Sequence, residues 1–135
     1  MGEAEKVIIA VDFDGILCEN EYPGIGKPHY EMIAFVMQMQ DAGIETILWT
    51  SRVNDRLKEA VKWCEDKGLH FAAINANAPS NLAKFGTDPR KVFANLYIDD
   101  NTPWFQSDMD DTGRYEIDIA IGETRKYLKK KGVKL

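Results

Sequence analysis

Apolar residues fall in short blocks along the chain, and the blocks alternate between a continuous pattern and a helical one. Residues 7-11, Val-Ile-Ile-Ala-Val, form an unbroken apolar run that predicts a buried strand. A connection containing Gly and Pro follows from Cys18 to Pro28, after which Tyr30, Ile33, Ala34 and Met37 recur at helical spacing as far as Gly43. Ile44 to Trp49 reads as a second strand. Leu57, Ala60, Val61 and Cys64 then repeat the i, i+3, i+4, i+7 stripe of a helix that stops at Gly68. Phe71 to Ile74 is a third short strand and Asn95 to Ile98 another. Between these two strands, residues 76-90 are rich in Asn, Pro and Gly and read as loop with a short helix around Leu82. At the C-terminus Tyr115, Ile117, Ile119 and Ile121 alternate like a strand. The longer pattern of Ile117, Ala120, Ile121, Thr124 and Leu128 fits a helix from about Glu116 to Gly132, and the helix is the expectation.

Strands alternating with helices predict an α/β fold: a three-layer sandwich with a parallel, Rossmann-like sheet covered on both faces. Ligands of such sheets sit beyond the C-terminal ends of the strands. At 135 residues the chain is expected to be a single domain, 1-135. No apolar run approaches the ~20 residues of a membrane span. The start, Met-Gly-Glu-Ala-Glu-Lys, lacks the basic beginning and apolar segment of a signal peptide, so a cytoplasmic location is expected. Cys18 and Cys64 are too few for a disulfide scaffold or a zinc site and are expected to be reduced, with Cys64 in the core.

With 17 Lys plus Arg against 22 Asp plus Glu, the net charge is -5, which gives the chain no electrostatic reason to hold nucleic acid. Lys129-Lys130-Lys131 and Lys134 suit the end of a helix, where cations meet the negative end of its dipole. The negative charge becomes informative where it is concentrated. The first strand ends in Asp12-Phe13-Asp14-Gly15, two carboxylates one residue apart followed by a residue that lets the chain turn away. Like charges this close call for a shared proton or a cation between them, and Mg²⁺ is the hard ion that takes oxygen ligands together with a substrate phosphate. Further chemistry appears at two more strand ends: Thr50-Ser51-Arg52 after the second strand, and Asp99-Asp100 after the last, with Lys91 eight residues before Asp99.

In this ordered set the chain resembles the haloacid dehalogenase superfamily of phosphohydrolases. Its four motifs are matched by Asp12 to Gly15, Thr50, a lysine, and Asp99-Asp100, over about residues 6-100. The resemblance implies a Mg²⁺-dependent phosphomonoester hydrolase. Asp12 is then the nucleophile that forms an aspartyl-phosphate, and Asp14 the general acid and base. An Asp at position 14 points to a phosphatase rather than a dehalogenase. Thr50 and Lys91 meet the charge on the phosphoryl oxygens, with Lys84 as the rival lysine. Ser51 stands beside Thr50, and Arg52 can fork onto a substrate phosphate or enter an ion pair. The resemblance implies metal ligation by Asp12, by the backbone carbonyl of Asp14 and by one or both of Asp99 and Asp100. His29 is placed outside the chemistry, at the mouth of the site. Asn101 stands where many relatives have Arg.

Members of this superfamily usually carry a cap domain after the first motif or before the lysine. Here the two gaps, Cys18 to Pro28 and Asn75 to Arg90, leave no room for one, so no separate cap domain is expected. The segment from Tyr22 to His29 and the loop with Trp104 and Phe105 are the candidate covers. An open site implies either a large substrate or a homo-oligomer whose neighbouring subunit supplies the cover. The expected partner is a small phosphorylated metabolite such as a nucleotide or sugar phosphate, with no nucleic acid and no membrane. Two other classes share some of these residues. A receiver-type phosphoacceptor domain also combines an acidic cluster with Thr and Lys, but its acceptor lies on a later strand than the acidic pair. A catalytically idle binding module would have lost a catalytic position, and none is lost here.

Overall fold

The computed structural model describes residues 6-102 and 114-135. Four parallel strands form one sheet in the order β3-β2-β1-β4: β1 Ile8–Val11, β2 Glu45–Leu48, β3 Ala73–Ile74 and β4 Leu96–Ile98. The helices are α1 Tyr30–Asp41, α2 Asn54–Asp66, α3 Pro79–Phe85 and α4 Arg114–Lys130. The expected α/β parallel-sheet fold is therefore present, and the C-terminal segment takes the helical alternative. Among the described residues, no helix is long and apolar enough to cross a membrane.

Alternation along β1 shows how the continuous apolar run divides between two layers. Ile9 and Val11 point to one side, where they join Phe35, Val36 and Met39 of α1, Ala60 and Cys64 of α2, and Ile117, Ala120 and Leu128 of α4. Ile8 and Ala10 point to the other, where they meet Ile47, Ala78, Val92 and Ala94. Both faces are buried, which is why the strand shows no polar residue until its tip. Helix α2 stops at Gly68, whose φ of 87° places it in the left-handed region, and the Leu69 N–H returns to the Cys64 carbonyl at 2.9 Å. Cys18 and Cys64 are both free and buried, and burial pushes each thiol up to about 12. They act as small apolar core residues.

Crossovers carry the chain from β1 to β2 to β3 in one direction across the sheet, with α1 and α2 on the same face. The connection from β3 runs back past β2 and β1, with α3 and residues 86-95 on the opposite face, and delivers β4 to the far side of β1. Strand order thus reverses between β1 and β4. A crevice opens at such a switch point beyond the C-terminal ends of its two strands. Here those ends are Asp12 and Asp99-Asp100.

Candidate active site

The tip of β1 is held by the sheet itself, since the Asp12 N–H donates to the Ile98 carbonyl at 2.9 Å. The chain then turns. Leu17 donates its N–H to the Phe13 carbonyl at 2.9 Å and Gly15 to the Cys18 carbonyl at 2.8 Å, so residues 13-18 form a tight loop whose apolar members, Phe13, Ile16 and Leu17, are buried. Gly15 is required twice over. Its φ is 89°, and a Cβ there would overlap the Asp100 carboxylate. The glycine of the D-x-D-G motif therefore lets the tip of β4 close against the tip of β1.

That closure gathers carboxylates. One oxygen from each of Asp12, Asp99 and Asp100 lies within 4.8 Å of the others. Burial, a hydrogen bond to the Asp100 carboxyl and the charge of Asp99 push the Asp12 carboxyl up to about 9, against a smaller opposing effect of the Phe13 N–H, which donates to Asp12 Oδ1 at 2.8 Å. Burial and Asp99 also raise the Asp100 carboxyl. A hydrogen bond links the Asp12 and Asp100 carboxyls, whereas Asp14, the neighbour for which the sequence pattern called for a shared proton or a cation, is met by Arg52 instead. Asp99 is fixed from the other side, its Oδ1 accepting from the Asn101 N–H at 2.8 Å.

At the end of β2 the chain makes a second tight turn. Thr50 Oγ1 accepts from the Arg52 N–H at 3.1 Å, and the Thr50 N–H donates to Asn75 Oδ1 at 2.8 Å. Asn75 leaves β3 at φ 51° with its own N–H on the Leu48 carbonyl at 2.8 Å, so it ties β3 to the Thr50 loop from a left-handed conformation that Asn tolerates better than most residues. Beyond these turns lies a cleft of about 430 Å³, lined by Asp12, Asp14, Thr50, Ser51, Arg52 and Asp100, with Asn20, Tyr22 and Asn101 at its margin. Asp14 faces it in a two-pronged ion pair with Arg52, whose Nε and Nη2 donate to Oδ2 and Oδ1 at 2.8 Å each.

The structure thus brings together Asp12, Asp14, Thr50, Ser51, Arg52, Asp99 and Asp100, all expected from the sequence. It does not bring Lys91 there. Residues 91-94 lie along the second face of the sheet in extended alternation, with Val92 and Ala94 buried and Lys91 and Phe93 exposed, so Lys91 points away from the layer beneath it and does not line the cleft. Lys84 is also exposed, with its ammonium 5.4 Å from the centre of the Phe85 ring, and is likewise absent from the lining. Among the described lining residues the one cation is Arg52, and its fork is taken by Asp14. His29 lies apart from the cleft, buried with Nδ1 2.9 Å from the Ile16 carbonyl beside a different cavity of about 350 Å³. Of the candidate covers, Tyr22 is 59% exposed at the cleft margin, whereas Trp104 and Phe105 lie outside the described residues. The sequence places Asn75 near this edge of the sheet but does not show its hold on Thr50. The signal available was an Asn directly after a strand, and its left-handed turn and its hold on Thr50 depend on tertiary contact.

Comparison with known proteins gives a structural relative and no named activity. No family model and no curated protein matches the chain. The chain is similar to a conserved protein from Bacteroides thetaiotaomicron of known structure, at 31% identity with a TM-score of 0.68, over 88% of this chain and 93% of that one.

Proposed function

We propose that this chain, which belongs to the same family as that conserved Bacteroides protein, is a Mg²⁺-dependent phosphomonoester hydrolase of the haloacid dehalogenase type. In this reading it acts in the cytoplasm on a small phosphorylated metabolite, such as a nucleotide or sugar phosphate, through an aspartyl-phosphate intermediate. The observation that carries the reading is the convergence of Asp12, Asp99 and Asp100 at the β1/β4 switch point, beside Asp14 and the Thr50-Ser51 hydroxyls. The donor set fits a divalent cation. It is all oxygen and all carboxylate, and burial first, with the charge of Asp99 beside it, disfavours bare charge on Asp12 and Asp100, which a cation would offset. Asp12, Asp99 and Asp100 would hold the ion, with the Asp14 carbonyl completing the set that the resemblance implies. When bound, Mg²⁺ supplies positive charge against the phosphoryl oxygens.

The remaining steps belong to the chain's own side chains. Asp12, as its carboxylate, attacks phosphorus and the ester P–O bond breaks, while protonation of the leaving alkoxide is the role that the resemblance gives to Asp14. Water then cleaves the aspartyl-phosphate, giving up a proton to Asp14, and inorganic phosphate departs. Thr50 and Ser51 offer hydroxyl donors to the phosphoryl oxygens, in a chemistry where positioning and electrostatics carry most of the catalysis. The proposal is tested by measuring phosphate release over a panel of nucleotide, sugar and aryl phosphates with Mg²⁺, with Ca²⁺ and after chelation. Turnover with Mg²⁺ that chelation abolishes and Ca²⁺ fails to restore is expected, because the larger ion accepts a looser coordination sphere. Equal turnover in Ca²⁺, or none on any member of the panel, contradicts it.

A further inference from the structure

Arg52 is 2% exposed although it lines an open cleft. Burying a guanidinium is costly unless its donors are met, and here four of its five N–H groups have acceptors. Nε and one Nη2 hydrogen go to Asp14, the other Nη2 hydrogen to the Gly24 carbonyl at 2.6 Å, and an Nη1 hydrogen to the Pro23 carbonyl at 3.2 Å. The guanidinium carbon also lies 5.1 Å from the ring centres of both Phe13 and Tyr22. Arg52 is therefore spent on three partners: the Asp14 carboxylate, the Phe13 ring behind it, and the segment 22-24.

Segment 22-24 is the tip of a hairpin. Its base is closed by the Glu19 N–H on the Lys27 carbonyl at 2.8 Å and by an antiparallel bridge between Cys18 and Pro28. A Cβ on Gly26 would overlap the Glu19 carbonyl, so the two arms are in close contact. Ile25 packs against the main core, but among the described residues the hydrogen bonds that leave the tip for the rest of the fold all go to Arg52. Tyr22 owes its place at the cleft margin to this attachment.

We propose that Arg52 is a positioning residue, a buried latch that fixes the 19-28 hairpin and its Tyr22 ring against Asp14, and that it shapes the cleft wall instead of binding the substrate phosphate. The structural part rests on geometry alone, and its kinetic consequence rests on the phosphatase reading. The test compares wild type with Arg52→Lys, which keeps the charge but loses the fork, using hydrogen exchange read by mass spectrometry, calorimetric binding of inorganic phosphate with Mg²⁺, and turnover of an aryl phosphate. Exchange in 19-28 should rise about tenfold or more, the effect of losing at least one charge-assisted hydrogen bond, while β1 and β2 keep their protection. Affinity for inorganic phosphate should stay within about threefold as kcat falls, because the phosphate is not an Arg52 ligand. Unchanged exchange in 19-28 overturns the latch, and so does a loss of phosphate affinity parallel to the loss of kcat/KM. Should Arg52→Lys fail to fold, Tyr22→Ala at the exposed end of the stack should loosen the same segment, and wild-type exchange there also overturns the latch. Absence of turnover by the wild type, with the exchange result intact, rejects the phosphatase reading and leaves the latch standing.

Discussion

Asp12 carries an acidity that the rest of the fold imposes on it. Its carboxyl is moved from the usual 3.8 up to about 9 by burial, then by the hydrogen bond with Asp100 and the charge of Asp99. Between those values the native state binds a proton that the unfolded chain has lost, so this group's contribution to stability falls as pH rises from about 4 to about 9. Asp12→Asn removes both the titration and a charge from the cluster. In the absence of metal, the melting temperature of the wild type should fall faster over this range than that of Asp12→Asn, which should be the more stable protein at pH 8, and Mg²⁺ should raise the wild-type value more at pH 8 than at pH 5. Parallel melting curves for the two proteins would show that Asp12 is not held protonated. The residue scale also marks where sequence was informative. Asp12, Asp14, Asp99 and Asp100 were legible because each ends an apolar run, where a charged residue stands out against its neighbours. Lys91 stands out in the sequence because it shortly precedes the acidic-tipped strand, and the alternation that turns it outward depends on Val92 and Ala94 finding the second face of the sheet.

Elements were legible to the extent that their periodicity was unbroken. Helices α1, α2 and α4 follow the apolar stripes of the sequence, and β1 and β2 follow its continuous runs. Strand β3 is shorter than the run Phe71 to Ile74 because only Ala73 and Ile74 pair with β2. The connections were less legible, since their conformations are set by partners distant in sequence. Asn75 is the example: it joins β2 to β3 through its backbone and secures Thr50 through its side chain. Asn75→Ala loses the acceptor for the Thr50 N–H, at a cost of about 1-3 kcal/mol, and keeps a Cβ in the left-handed region without the short polar side chain that eases it there. Asn75→Gly loses the same acceptor but removes the Cβ as well, which suits the left-handed backbone. Denaturant unfolding should therefore rank wild type above Asn75→Gly and Asn75→Gly above Asn75→Ala. Equal stability of the two variants would show that the left-handed backbone carries no cost there.

For the whole molecule, topology is what turns two separate acidic segments into one site. Asp12 and Asp99 are far apart in the chain, and they meet because β4 is laid beside β1 after the return crossover. The alternation of strands and helices already places both segments at the same edge of a parallel sheet, while the pairing of β4 with β1 comes from the structure. Sequence pointed to the segment from Tyr22 to His29 as a cover but not to what holds it, because the Arg52 contacts to Asp14, Pro23 and Gly24 arise only once β2 lies beside β1. The central claim is that Asp12 itself takes the phosphoryl group. The direct measurement is peptide mass spectrometry of protein quenched in acid during turnover of an aryl phosphate, with wild type and Asp12→Asn each incubated with Mg²⁺ and with chelator. A single added phosphoryl group on Asp12, seen in the wild type with Mg²⁺ and absent from the other three samples, is the predicted result. Phosphate release with no phosphoryl group on Asp12, or the same modification in Asp12→Asn at another residue, would contradict it.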